Sequence, residues 1–316
     1  SGFGNTLNIE SLTSNIDIRE NIDASLLGNN VDVTMIGDRI RLYKEVGGVN
    51  PLQSLSMSTS DTITIDSTKI NTTLNQEYTS TNAITTTKTT LDFESSSGTI
   101  IFNCNVIGLN TITIHGNSEL QSSFTIDTPK LSLYVGIHEI NGNVFNSSPA
   151  SITQLFSGSI LAGSGNHEII TIVEEATIFP DELITTEILN LNSPVTITSL
   201  IEDGSTYGQL YISSNLAGSG QITIDASVSN TLNSGDLVFI VNSEEIDFEG
   251  RIFNDNESNA ITEYRQYSIP GSSDPVVASY LIDSELGNSA FSLHINSNPV
   301  ANDDTCNQNC NAGATC

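Results

Sequence analysis

The sequence has no tryptophan, few cations and no long apolar run, and each absence excludes a class of protein. Among its 316 residues, 37 are Asp or Glu and only 9 are Lys or Arg, which gives a net charge of −28. Nucleic-acid binding is disfavoured, because neutralising phosphates needs a basic patch. No stretch approaches the roughly 18 apolar residues of a membrane-spanning helix. A soluble protein is therefore expected.

Charge is sparse as well as one-sided. Charged residues make up 15% of the chain, against about 25% in an average globular protein. No cation occurs between Lys130 and Arg251, although enzymes that handle phosphates or carboxylates usually clamp them with Lys or Arg. Such substrates are therefore disfavoured. We interpret the acidity as a means of keeping the protein soluble, because like charges repel one copy from another. A specific acidic binding face is the alternative.

Hydrophobic periodicity is almost everywhere two, which is the period of a β-strand. Segments such as Thr62-Ile63-Thr64-Ile65 and Gln221-Ile222-Thr223-Ile224 alternate Ile with polar residues, and β-branched side chains suit a pleated, half-buried surface. The one candidate helix covers residues 181–189, which follow Pro180 and begin with two acidic residues. The pattern as a whole predicts an all-β fold.

A short motif occurs twice in the chain. Leu161-Ala162-Gly163-Ser164-Gly165 and Leu216-Ala217-Gly218-Ser219-Gly220 begin 55 residues apart, and an Ile-rich strand pattern follows each of them. Each copy predicts a strand end, a glycine turn with positive φ and a new strand. A coil that stacks on itself turns at the same place in every rung, so the repetition favours a β-solenoid. Two tandem antiparallel β-sandwiches that divide near residue 150 are the alternative.

The second copy of this motif carries a resemblance. Residues 216–224, Leu-Ala-Gly-Ser-Gly-Gln-Ile-Thr-Ile, resemble rungs of the parallel β-helix found in bacterial adhesins and autotransporter passengers. Residues 234–241 and 246–253 resemble the closing rungs of those passengers. Together, these motifs make up 25 of the 316 residues. The resemblance implies a stacked β-solenoid in an extracellular protein.

The four cysteines are unevenly placed. Cys104 lies on the apolar phase of the alternating segment 100–106, which predicts a buried, reduced thiol. Cys306, Cys310 and Cys316 crowd an Asn- and Gly-rich tail that cannot build a core, so disulfides and an oxidising compartment are expected there. Three tail cysteines leave one unpaired, which indicates that the natural chain continues further.

Residues 306–316 resemble the first half of an EGF-like module, including its Gly-Ala-Thr-Cys ending. In that module the first cysteine pairs with the third, which implies a Cys306–Cys316 disulfide and a more distant partner for Cys310. Surface β-rich proteins followed by EGF-like modules include the mastigoneme proteins, which form hairs on algal flagella. The resemblance therefore also implies an extracellular fibre protein.

The segment before the tail is interpreted as a linker. It covers residues 297–305, between a solenoid region at 1–296 and the truncated EGF-like segment at 306–316. Calcium-binding EGF-like modules carry oxygen ligands before their first cysteine, and the matching positions here are Asn302, Asp304 and Thr305. Thr305 departs from the Glu or Gln of that pattern, so a solvated acidic linker is the alternative to a calcium site.

No catalytic constellation stands out. The four histidines lie outside any H-E-x-x-H arrangement, and His115 and His294 continue strands on their polar phase, where they are predicted to face solvent. Without Trp, the chain also lacks the best stacking platform for a sugar. Candidate glycosylation sequons occur at Asn71, Asn146 and Asn256. The sequence predicts a protein that is not an enzyme.

Two functions fit these observations. The first is a structural extracellular protein whose copies assemble into a surface filament, and the second is an adhesin or binding module displayed on a β-solenoid stalk. Recognition hot spots prefer Trp, Tyr and Arg, which are absent or scarce here. Long Thr-, Ser- and Ile-rich strands with open edges favour self-association. A homopolymer is therefore the primary prediction, with no nucleic-acid partner, no membrane insertion, and calcium as the only candidate cofactor.

Overall fold

The computed structural model describes residues 5–11, 13–24, 31–202, 205–228, 237–248, 252–254, 266–268, 277–282 and 290–296. It confirms the prediction of an all-β solenoid: parallel coils stack in about nine turns, strands make up 68% of the structure, and the described ranges contain no helix. The chain divides into two compact units, Ser1–Ala176 and Thr177–Cys316.

The first unit consists of short strands separated by turns. These strands are β1 (Asn5–Ser11), β2 (Ile16–Ile18), β3 (Val31–Gly37), β4 (Ile40–Leu42), β5 (Ser54–Thr59), β6 (Thr62–Ile65), β7 (Lys69–Thr72), β8 (Gln76–Thr85), β9 (Thr90–Ile107), β10 (Thr111–Leu120), β11 (Thr125–Asp127), β12 (Lys130–Leu133), β13 (Gly136–Ile140), β14 (Asn143–Phe145), β15 (Ile152–Leu155), β16 (Ser159–Gly163) and β17 (Asn166–Ile172). Strands β8 and β9 are long because each continues around a corner of its coil and pairs with two different strands of a neighbouring coil.

Three parallel ladders organise this unit. The first ladder follows β1, β3, β5, β8, β9, β10, β13 and β16, and the second follows β2, β4, β6, β8, β9, β11, β14 and β17. The third follows β7, β9, β10, β12, β15 and β17. Equivalent residues stack directly: Asp32 pairs with Ser54, 22 residues later, and Ser118 with His138, 20 residues later.

The core consists of columns of inward side chains along these ladders. In the second ladder, Ile16 stacks on Ile40, which stacks on Ile63, and the column continues through Ile84 and Val106. Each of these side chains is at most 6% exposed, and burying one contributes about 1.5–3 kcal/mol. The alternation in the sequence thus becomes a continuous apolar interior, with the polar phase outside.

The second unit contains parallel strands, followed in the chain by antiparallel ones. Strands β19 (Leu183–Leu191), β21 (Gln209–Gly218) and β23 (Leu237–Phe248) form one parallel ladder, and β20 (Val195–Ile201), β22 (Ile222–Val228) and β24 (Ile252–Asn254) form another. Strand β18 (Ala176–Pro180) begins at the boundary of the two units. Strands β25 (Gln266–Ser268), β26 (Val277–Ile282) and β27 (Ala290–Asn296) pair antiparallel, and β27 joins β23.

Two sequence-based alternatives are wrong. Tandem sandwiches that divide near residue 150 are excluded because β12 pairs in parallel register with β15, so one ladder continues across the division. The candidate helix at 181–189 is a strand, β19. The inward phase of β19 shifts after Thr186, because Thr186 and Leu189 are both buried although they are three residues apart, and this shift made the apolar spacing look helical.

The corner prediction is confirmed. Gly163 and Gly218, at equivalent places in the repeated motif, have φ values of 101° and 104°. A Cβ atom on either glycine would also overlap backbone or side-chain atoms of the preceding coil, at Ile140 and Leu191 respectively. The left-handed backbone and the close approach of the coils both require glycine here.

Candidate functional site

The first candidate site is the edge of β1. Among the described residues, β1 pairs only with β3 and β2 only with β4. Leu7 and Ile9 begin the apolar columns that continue to Val33 and Met35. The latter two are 1% and 0% exposed, whereas Leu7 and Ile9 are only half-buried. The described structure therefore has a strand edge beside the incompletely covered end of its core, and such an edge is a template for another strand.

A second candidate is an open polar groove on the first ladder. Its volume is about 490 Å³, and it is lined by Ser54, Leu55, Ser56, Leu74, Asn75, Glu77, Ser97 and Gly98. Asn103 Nδ2 donates a hydrogen bond to Glu77 Oε1 over 3.3 Å, and Asn75 Oδ1 accepts one from the Thr99 amide over 3.0 Å. The groove thus presents hydroxyl, amide and carboxylate groups, which suit a polar ligand.

Several of the few cations of the first unit form ion pairs on its surface. Arg39 bonds Asp61 over 2.6 Å, Arg41 bonds Asp66 over 2.6 Å, and Lys69 bonds Glu94. Burial opposes ionisation of Asp66, but hydrogen bonds from Thr87 and Arg41 outweigh it and hold the pKa of this carboxyl below its ordinary value. These pairs leave little positive charge to attract an anionic ligand.

Two histidines lie inside the solenoid. Nε2 of His138 contacts the Tyr134 carbonyl oxygen at 2.6 Å, so Nε2 carries the proton and donates it. Nδ1 of His138 then accepts from the Ser118 hydroxyl over 2.9 Å. Nδ1 of His167 lies 3.0 Å from Thr153 Oγ1, and its Nε2 has no hydrogen-bond partner among the described residues. Burial lowers the pKa of both imidazoles to about 4.

The Ser118–His138 pair has the hydrogen bond of a nucleophile and base, but its location prevents that use. His138 is 0% exposed and Ser118 is 4% exposed, so no substrate can reach the serine oxygen without opening the coil. Their neutral pairing instead satisfies polar atoms inside the core. We interpret this pair as structural.

Sequence reasoning missed both buried histidines. For His138 the reason is local: Ile137 is 50% exposed and His138 is buried, so apolar and polar residues have exchanged sides at this corner. The inward position of His138 could have been predicted from Ile140, because residues two apart in a strand lie on the same side and Ile140 is buried. His115 lies on an outward position as predicted and stacks on Tyr134, whereas nothing is described of the His294 side chain.

The sequence-predicted site residues are scattered, and the structure does not bring them together. Asn71 is buried, while Asn146 is half-buried and donates to the Pro149 carbonyl oxygen over 2.6 Å; glycosylation at both stays a prediction. The remaining candidates lie outside the described residues, namely Asn256, Asn302, Asp304, Thr305, Cys306, Cys310 and Cys316.

The prediction for Cys104 is confirmed. Its side chain is 0% exposed and the thiol is reduced. Burial raises the pKa of this thiol to about 12, so the nucleophilic thiolate is negligible at neutral pH. Cys104 therefore acts as a small apolar residue beneath the Tyr78 carbonyl oxygen, which lies 3.7 Å from its Sγ.

Neither a metal cluster nor a membrane helix is found in the described ranges. No group of three or more His, Cys, Asp or Glu side chains is placed there to hold a metal ion. Within the same ranges, no helix has the length and apolarity to cross a bilayer. Comparison with protein-family models and with curated proteins finds no match for this chain.

Proposed function

We propose that the chain is a structural extracellular protein whose copies assemble into a surface filament. The edge of β1 carries this proposal, because the end of the core at Leu7 and Ile9 is incompletely covered by the described residues. A strand from another copy would bond the backbone edge and cover these two side chains at the same time. The backbone hydrogen bonds and the burial of apolar side chains would thus come from the same contact. Consecutive coils inside the solenoid are joined by the same two kinds of interaction.

The surface chemistry supports a structural role. The outward phases of β3, β5 and β8 carry short polar side chains such as Thr34, Ser56 and Thr79, and the ordered core columns provide a rigid support. The tail belongs to the same proposal: an EGF-like segment with a Cys306–Cys316 disulfide, with or without calcium at Asn302 and Asp304, would suit an oxidising extracellular setting.

A charge at the edge tests the proposal directly. We expect Ile9→Lys to abolish filaments, because an ammonium group on the inward phase of an edge strand cannot be covered by an incoming strand. Asn8→Lys is the matched control, since Asn8 is the adjacent residue of β1, is exposed and gains the same charge. Negative-stain microscopy of both variants and of the parent measures the effect, with circular dichroism to confirm that the fold is retained.

Two results would count against edge-driven assembly. One is filaments of normal length from the folded Ile9→Lys protein, and the other is equal loss of filaments in both variants. If the parent chain itself gives only monodisperse rods, the filament proposal fails and the binding-module alternative replaces it.

Salt provides an independent prediction. The net charge of −28 repels one copy from another, and about 0.5 M NaCl shortens the Debye length to a few ångströms. Backbone hydrogen bonds at a strand edge are not weakened by this screening, so raising NaCl from about 20 mM to about 0.5 M should increase the polymer fraction. Sedimentation of the polymer measures that fraction, and release of subunits by salt would instead indicate interfaces built from ion pairs.

The groove on the first ladder favours the second candidate function, an adhesin or binding module. Its polar lining beside the partly exposed Leu74 could hold a polar ligand such as a glycan. Binding of a soluble glycan by single rods, lost when Glu77 is replaced by Gln, would support this function in place of the filament.

A further inference from the structure

One side of the first unit differs from the rest of its surface. On the third ladder, the segments 111–115, 130–134, 152–156 and 169–171 pair in register, and every second side chain lies on the outward phase. Thr113 and Ser132, in the middle of the first two segments, lie in a recess of this phase and are only 9% and 4% exposed. We name these outward positions the acid-free face, because neither Asp nor Glu occurs in any of the four segments. Lys130 is its one residue with a permanent charge.

The other two ladders of the same coils are different. Their outward positions include Glu119 and Glu139 on the first ladder and Asp127 and Glu168 on the second. Acidic residues also occur just outside the face, where Glu94 pairs with His115 in register. The acid-free face therefore lies between two ladders that both carry carboxylates on their outward positions.

The face also carries several aromatic and aliphatic side chains among its polar ones. His115, Tyr134 and Phe156 stack on one another, with ring centroids 4.3 Å apart at each step. Beside them, Ile152 and Ile169 are half-buried on outward positions. Because the rings cover one another's faces, only their edges are presented outward. Ring edges suit packing against a flat protein surface better than stacking on a sugar ring, which needs an open ring face.

We propose that the acid-free face binds the same face of a second copy, about a two-fold axis. Two chains of charge −28 can approach here without desolvating a carboxylate of either face, and the apolar side chains gain by burial. A two-fold contact needs only one self-complementary patch. This pairing does not involve β1, so it is independent of assembly through the strand edge.

The size of the face predicts how strong the pair is. Four strands about 4.8 Å apart and five residues of about 3.3 Å give an area of roughly 300 Å² per copy. A stable interface covers about 800 Å² per partner. The isolated pair should therefore dissociate in the micromolar to millimolar range, and it would hold firmly only where many copies are arrayed side by side.

The test is sedimentation equilibrium on the full chain carrying Ile9→Lys, with concentrations up to about 1 mM to cover this weak range. We expect a monomer–dimer equilibrium that Gln154→Glu weakens at least tenfold, because it puts two carboxylates into the symmetric contact. The matched control is Gln121→Glu, which adds the same charge at an exposed turn residue away from the face. It should leave the dissociation constant unchanged.

Several outcomes would overturn the pairing. These are equal dimer constants for the two glutamate variants, a protein that stays monomeric throughout the concentration range, or a face that binds carbohydrate instead. The last is checked by affinity electrophoresis in hydroxyethylcellulose: retardation of a monomeric parent, lost in Gln154→Glu, would assign the face to a neutral polysaccharide. Every protein compared carries Ile9→Lys, so a difference between the two glutamate variants reports the acid-free face, whether or not the strand edge drives assembly.

Discussion

Acidification from pH 7 to pH 5 should destabilise the protein through its two buried histidines. The pKa of His138 and of His167 is about 4 in the folded chain, against an ordinary 6.5. Above pH 6.5 the two histidines are neutral in both the folded and the unfolded chain, so their protonation does not lower the free energy of unfolding. As the pH falls below 6.5, only the unfolded chain takes up the protons, so the free energy of unfolding falls until the folded pKa is reached. The loss is roughly 2 kcal/mol per histidine at pH 5 and about 3 kcal/mol near pH 4.

The comparison that isolates this effect is between the parent and the double variant His138→Gln, His167→Gln. Relief of carboxylate repulsion acts on both proteins and cancels in the difference. We expect urea unfolding, followed by circular dichroism at several pH values, to show a shallower pH dependence for the double variant. His115→Gln, on an outward position, should keep the parent's dependence. Identical slopes for the parent and the double variant would remove the histidines as the cause.

Truncation of the aromatic cluster should be the most damaging single change in the core. Tyr78 on β8 contacts Phe93 and Phe102, which are both on β9, and the ring centroids lie 5.1–5.7 Å apart. Phe102 is 1% exposed. Phe102→Ala removes its ring from both contacts and leaves a cavity that the stacked coils cannot close, so a loss of about 3–5 kcal/mol is expected.

The control for this substitution is Phe145→Ala. Phe145 is 39% exposed on β14, so the same change of side chain should cost less than about 1 kcal/mol. The midpoint of urea unfolding measures both variants, with far-ultraviolet circular dichroism to check that the coils remain. Equal shifts of the two midpoints would show that the Tyr78 cluster does not hold the neighbouring coils together.

Much of the fold could be predicted because a solenoid repeats its local rules. The period of two located most strands, and the repeated glycine corner at Gly163 and Gly218 identified the stacking. The rules failed where one coil departs from them. The phase shift after Thr186 changed the apparent period of β19, and the reversed phase at Ile137 hid the buried His138.

The candidate sites were harder to predict, since they depend on pairing between distant segments. Open edges were expected, but alternation within β1 cannot show that its only described partner is β3. The acid-free face arises only when segments about 20 residues apart are placed in register, which brings Tyr134 and Phe156 together. Ile152 and Ile169 look like core residues in the sequence, yet both are only half-buried.

The in-register ladders of the first unit have a mechanical consequence. Each coil is bonded only to the coils before and after it, and equivalent residues such as Asp32 and Ser54 are 22 residues apart. Tension applied along the stacking direction therefore loads the coils in series, and the outermost coil peels away while those behind it keep their register. One released coil lengthens the chain by about 70 Å, at roughly 3.4 Å per residue. A solenoid of such coils therefore unfolds under tension one coil at a time, and each unfolding event dissipates energy before the next coil is loaded.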